Sequence, residues 1–275
     1  MTRRKFAATF ALGSLALFTF GAAITAQSIH VNPARPGSPS IESETSHIDG
    51  ITGHAVNGKN LYQRFCIGCH GADGNGKGPD APPINPKPRD FTRATFKCRS
   101  TPTGDLPTDE DLFNAITRGF VGTRMKPWKT LSAQQRADLV AFIKTWSPRW
   151  ATEKPGTPIV IPPETPQTQE SVERGKVLFQ TTLNCAKCHG TRGLGDGRSA
   201  ATLEDDDGNR IKPRDFVHAS GFKCGTTNED LYRILMTGLD GTPMPSFSDD
   251  LDASQAWDLI HYLRTLQQNR GTGPS

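Results

Sequence analysis

Cys66-Ile67-Gly68-Cys69-His70 recurs 119 residues later as Cys185-Ala186-Lys187-Cys188-His189. This pair decides the fold. A lone Cys-x-x-Cys serves as a redox dithiol, half of a zinc site or a disulfide, and a following histidine narrows it to covalent haem attachment. Two thiols one short helical turn apart reach the two vinyl groups of one porphyrin, and the next residue aims its imidazole at the iron from the proximal side. A two-Cys, two-His zinc site needs a second histidine a few residues downstream, and neither copy has one. The expected cofactors are therefore two covalently attached haem c groups. Cys66, Cys69, Cys185 and Cys188 carry the porphyrins, and His70 and His189 ligate the irons.

Working outward, the repeat covers most of the chain. Pro88-Arg89-Asp90-Phe91 returns as Pro213-Arg214-Asp215-Phe216, and Phe96-Lys97-Cys98 as Phe222-Lys223-Cys224. Glu110-Asp111-Leu112 returns as Glu229-Asp230-Leu231, and Gly122-Thr123-Arg124-Met125 as Gly241-Thr242-Pro243-Met244. The His-to-Met spacing is 55 residues in both copies. Their loops differ: the first copy has extra residues around Arg99 to Pro107, the second around Glu204 to Asn209. Two copies of one domain are expected, over 54–150 and 168–270, with a flexible leader at 27–53 and a short polar tail at 271–275. The linker at 151–167 holds Pro155, Pro158, Pro162, Pro163 and Pro166 and reads as stiff and extended.

Each copy shows three helical patterns. One precedes the Cys motif (Val56 to Phe65; Gln169 to Thr182). A second opens at Thr108 or Thr227, with Asp111 or Asp230 three residues on as a capping box. A third opens at Ser132 with Gln135 and carries Leu139, Phe142, Ile143 and Trp146; its counterpart carries Trp257, Ile260, Tyr262 and Leu263. Strand-like alternation is nearly absent, so the expected fold class is all-α, two tandem helical domains each built around one haem.

The chain has 275 residues, 35% of them hydrophobic, with 27 Gly and 21 Pro. That is a thin apolar content for its length, as expected of small domains completed by a prosthetic group. Arg3, Arg4 and Lys5 precede 21 charge-free residues from Phe6 to Ala26. This is an n-region and an h-region, read either as a cleaved signal peptide or as a retained N-terminal anchor over 1–26. Either way the remainder is expected to be exported to the periplasm, touching the inner membrane only if the segment is kept. Removing the segment lowers the formal charge from +4 to +1, which argues against a nucleic-acid partner.

Each half resembles a class I cytochrome c domain, and the whole resembles a periplasmic dihaem cytochrome c. The shared motifs run from the first helix to the last of each half, outside the leader and linker. The resemblance implies a methionine as sixth iron ligand, on a loop after the haem-binding helices. Met1 is the initiator and Met236 lies on a helix face, which leaves Met125 and Met244, one per copy. His/Met ligation implies a relatively high reduction potential and two closed axial positions, hence electron transfer rather than catalysis. The implied role is single-electron transfer between a periplasmic dehydrogenase or membrane respiratory complex and a redox partner protein. The rival is a dihaem redox enzyme such as a thiosulfate dehydrogenase, in which Cys98 or Cys224 would supply a thiolate ligand.

Cys98 and Cys224 sit at equivalent repeat positions and leave three readings open. They are a disulfide tying the halves across a pseudo-twofold axis, two buried thiols, or ligand or reactive groups. Residues 54–150 carry a net charge of +7 and residues 168–270 a net charge of −3, which suggests either ordinary solvated surface or two docking faces of opposite sign. Arg89 and Arg214 are candidates for haem propionate contacts, and Trp128 and Phe247 for packing on the haems. The Gly-rich stretches after each motif read as tight turns, and His218 and His261 as fallback ligands.

Overall fold

The computed structural model describes residues 35–218 and 220–268; the segment 1–26, read as signal or anchor, lies outside them. An Asp49-Gly50 turn with both residues at positive φ (45° and 77°) folds β1 (Thr45–Ile48) back on β2 (Ile51–His54) as an antiparallel hairpin. A two-residue turn of this handedness matches the natural twist of paired strands. Residues 45–53 are thus part of the first half, not of a flexible leader. The Asp-Gly pair between two short β-compatible runs carried that signal. The Ser46 hydroxyl donates to the Ala137 carbonyl at 2.8 Å, and Lys144 pairs with Glu44 at 2.9 Å.

Beyond the hairpin the regular elements among the described residues are helices, joined by long loops. The first half holds α1 (Ala55–Phe65), α2 (Ile67–His70), α3 (Asp109–Arg118), α4 (Ala133–Lys144) and the single turn α5 (Arg149–Thr152). The second holds α6 (Gln169–Val177), α7 (Ala186–His189), α8 (Asn228–Thr237) and α9 (Ala253–Gln268). A π-helical turn, Leu178–Thr182, carries α6 to the end expected from the sequence. Thr108 with Asp111, Ser132 with Gln135 and Thr227 with Asp230 close reciprocal capping boxes. Each box satisfies N–H groups that a helix start leaves without partners.

In both halves the first long helix lies across the last, α1 on α4 and α6 on α9. Glycine makes the crossing possible. A Cβ at Gly58 would stand 2.1 Å from the Asp138 carbonyl oxygen, and one at Gly175 would stand 2.0 Å from that of Asp258. Beside the second crossing Arg174 grips the Asp258 carboxylate with two hydrogen bonds, at 2.6 and 2.9 Å. The cores are rich in aromatic side chains, with Tyr62 against Phe142 at 5.2 Å and Phe179 against Tyr262 at 5.4 Å. Gly175→Ala forces the α6–α9 backbones apart, and overpacking of this kind costs about 1–3 kcal/mol. The expected result is a lower thermal midpoint for the variant than for the unaltered protein; an unchanged midpoint would show that the crossing relaxes freely.

The halves are bonded to each other. Cys98 and Cys224 form a disulfide with Cα atoms 5.2 Å apart. The meeting of equivalent residues, with Arg214 beside Gly122 and Arg89 beside the equivalent Gly241, is what a near-twofold arrangement of the two copies gives. The loops that differ between the copies act as clasps. In the first, the buried Arg99 pairs with Asp240 at 2.8 Å and donates to the Thr237 carbonyl at 2.7 Å, while Thr103 and Gly104 also bind the Asp240 carboxylate. In the second, Asp206 and Asp207 hold Arg93. Part of the charge segregated between the halves is therefore used at their own interface, rather than on two separate docking faces. The proline-rich linker also touches both sides. Gly156 and Ile159 donate to Leu106 and Ser100 of the first half, and Glu164 meets His261 and Asn228 of the second.

Candidate functional site

Cys66 ends α1 and opens α2, so the chain bends there and α2 presents Cys69 and His70 to a cleft in the first half. Apolar and aromatic side chains line its walls, among them Tyr62, Phe91, Ile116 and Leu139. The cleft is partly open to solvent, and its extended apolar wall suits a large planar ligand. Burial pushes the Cys66 thiol up to about 12 and the Cys185 thiol up to about 11. Both therefore carry their protons at pH 7. Among the described residues no group of three or more His, Cys, Asp or Glu converges as a metal cage.

The His70 ring is set by the first Pro-Arg-Asp-Phe block. Its Nδ1 lies 3.0 Å from the Arg89 carbonyl oxygen. A carbonyl only accepts, so Nδ1 carries the proton and the Nε2 lone pair is free for a metal. Burial lowers the imidazole to about 4, which keeps it neutral at pH 7. Phe91 stacks on the ring with centroids 4.5 Å apart, and the Asp90 carboxylate caps the turn by accepting from the Thr92 N–H at 2.9 Å. The second half repeats each part. His189 Nδ1 lies 3.1 Å from the Arg214 carbonyl, Phe216 stacks at 4.6 Å, and Asp215 accepts from Val217 and His218. Sequence reasoning singled out these blocks for the arginine side chains. Their backbone carbonyls and phenyl rings, which orient the imidazoles, left no separate trace in the residue pattern.

Met125 lines the same cleft as His70. Its loop is closed at the base, where the Phe120 N–H donates to the Met125 carbonyl at 3.0 Å and the Met125 N–H to the Thr123 hydroxyl at 3.1 Å. The Met244 loop closes in the same way through Leu239 (3.1 Å) and Thr242 (3.3 Å), and Met244 and Cys185 both pack on the second core. Trp128 lines the first cleft, and Phe247 is buried in the second core. Met236 also packs there, as expected of a helix-face residue. Both fallback histidines are engaged elsewhere. His218 bonds Asp215 on the surface, and the fully buried His261 meets Ser171 at 3.0 Å and Glu164 at 3.2 Å.

The residues present fit a haem. Neutral thiols, an imidazole with a free Nε2 and a methionine converge on an apolar cleft. Arg214 supplies a further sign: its Nε and Nη2 are buried without a hydrogen-bond partner among the described residues. An unpaired buried guanidinium is costly, and a haem propionate is an anion of the right kind to satisfy it.

Comparison with known proteins agrees with this geometry. The Cytochrome c family matches in two segments, residues 55–147 and 172–267. No curated protein matches the chain. Among solved structures, a chain of the Kuenenia stuttgartiensis reducing HAO-like protein complex Kustc0457/Kustc0458 is similar at 41% identity, with a TM-score of 0.74 over 76% of this chain and 95% of that one. With both halves matched, each bearing Cys-x-x-Cys-His, the chain belongs to the cytochrome c family, as two tandem cytochrome c domains, a family that binds haem c covalently for electron transfer.

Proposed function

We propose that the protein carries two haem c groups and passes single electrons between a respiratory oxidoreductase and its redox partner in the periplasm. The observation that carries this reading is the duplicated site: in both halves an imidazole pinned by a backbone carbonyl accompanies a Cys pair and a closed methionine loop. Cys66 with Cys69, and Cys185 with Cys188, anchor the two porphyrins. His70 and His189 give the proximal nitrogen, and Met125 and Met244 the distal sulfur. When bound, haem iron supplies a one-electron couple whose reduced form thioether sulfur favours. The surrounding aromatic side chains would exclude water from a bound haem, and with an imidazole and a thioether both holding the iron no place would remain for a small oxidant to bind. That favours transfer over catalysis.

A protein partner is supported by the similar structure, which comes from a complex of two proteins. Export is supported by the charged and apolar start of the chain and by the disulfide, which persists in oxidising compartments. The bond between Cys98 and Cys224 counts against the thiosulfate dehydrogenase reading, because that chemistry needs a free thiolate. Haem quantification with absorption spectra of both oxidation states tests the proposal. The expected result is two haems per chain, each with a sulfur–iron charge-transfer band when oxidised. A single haem, or a high-spin or thiolate spectrum with turnover on thiosulfate, would overturn it.

A further inference from the structure

The disulfide joins residues that each follow a lysine. Lys97 precedes Cys98 and Lys223 precedes Cys224, so the bond draws two lysines together on the near-twofold axis. Lys223 belongs to the second half, yet it lines the cleft of the first together with Lys97 and Arg89. The two arginines also reach across. Arg214 Nη1 comes within 3.5 Å of where a Cβ on Gly122 of the Met125 loop would stand, and Arg89 Nη1 comes equally near that point on Gly241 of the Met244 loop. All four cations are half-buried.

Like charges gathered out of water repel strongly unless anions join them. Lys97 shows the strain: burial first, then Arg89 and Lys223, bring its ammonium down to about 8. The nearby acids are partly committed elsewhere. Asp207 holds Arg93, and Asp205 accepts from Asn209 and the backbone of its own turn. Two haems would bring four propionate carboxylates, one for each of these cations.

We propose that Arg89, Lys97, Arg214 and Lys223 form one shared cationic seat on the axis that takes the propionates of both haems, so that each half completes the site of the other. This rests on the dihaem reading above. The haems then share an electrostatic environment, and a charge removed from one half alters the potential of the haem in the other.

The test is potentiometric titration of the full dihaem protein carrying Lys223→Gln. The expected result is a lower potential for the haem held by Cys66 and Cys69, equivalent to a three- to tenfold change in its oxidised-to-reduced ratio at fixed poise, or up to about 59 mV for one electron. Axial-ligand bands stay unchanged. Repeating the titration in a Met125→His background, which lowers that haem alone, assigns the shift. Lys223→Arg keeps the charge and restores the potential, and the exposed Lys176→Gln leaves both haems as they were. If Lys223→Gln fails to load two haems, Lys97→Gln is titrated instead, and the potential of the haem held by Cys185 and Cys188 is expected to fall by the same amount. Potentials equal to those of Lys176→Gln, in a protein with two haems and an intact disulfide, would overturn the inference. A single haem in the unaltered protein would instead overturn the dihaem reading.

Discussion

Serine at both Cys66 and Cys69 leaves the first half unfolded as well as colourless. Tyr62, Phe91, Leu112, Ile116, Leu139 and Ile143 all face the cleft as well as the first core. Without a porphyrin the apolar wall to which they belong is left partly open to water. Burying one such side chain contributes about 1.5–3 kcal/mol, and the whole stability of a domain is about 5–15 kcal/mol. Covering the cleft wall contributes about as much as two or three such side chains, which is comparable with that margin. Far-UV circular dichroism and absorbance of Cys66→Ser/Cys69→Ser, beside Cys185→Ser/Cys188→Ser, are the measurements. Each double variant is expected to lose one haem and about half of the helical signal. A haem-deficient variant that keeps its full helical signal would defeat the argument.

The second large effect lies at the axis. Replacing Cys98 and Cys224 by serine releases a bond that spans 126 residues. A loop of that size restricts the unfolded chain by about 5 kcal/mol on the chain-entropy account. The folded protein keeps its other ties, since Arg99 still pairs with Asp240 and Arg93 with Asp206 and Asp207. The double variant is expected to assemble and bind haem, but to unfold at a clearly lower denaturant midpoint. Equilibrium unfolding with and without reductant checks this. An equal midpoint, in protein whose unreduced mass shows the bond in the parent, would show that the clasps alone hold the halves.

Much of the local structure was legible in the residues because it depends on near neighbours. Thr108, Ser132 and Thr227 open helices where their capping partners predict, since a cap is a contact three residues long. The Cys-x-x-Cys-His pairs and the matched Met spacing located both candidate sites for the same reason. The hairpin at Thr45–His54 was equally local, and its Asp49-Gly50 turn was the cue. It was hidden by polar residues that pack through backbone and hydroxyl bonds to α4, not through an alternating apolar face.

Other features depend on distance in space. Nothing in a one-dimensional pattern shows that Gly58 and Gly175 sit where two helix backbones touch, or that the Arg89 and Arg214 carbonyls hold the imidazoles. The clasp loops could be seen as insertions, but their partners, Asp240 for one and Arg93 for the other, lie more than a hundred residues away.

The two cytochrome c domains are legible in the residues alone, because covalent attachment needs its thiols and imidazole within one helical turn, and such spacing is written in the chain. How the domains stand to each other is settled in three dimensions. Cys98 and Cys224 were compatible with a bond, two thiols or a ligand until a near-twofold arrangement brought their Cα atoms to 5.2 Å. The same rotation turned opposite net charges toward each other and set Lys223 in the cleft of its neighbour, because charge and disulfide pairing depend on where chain segments meet after folding, not on their order along it.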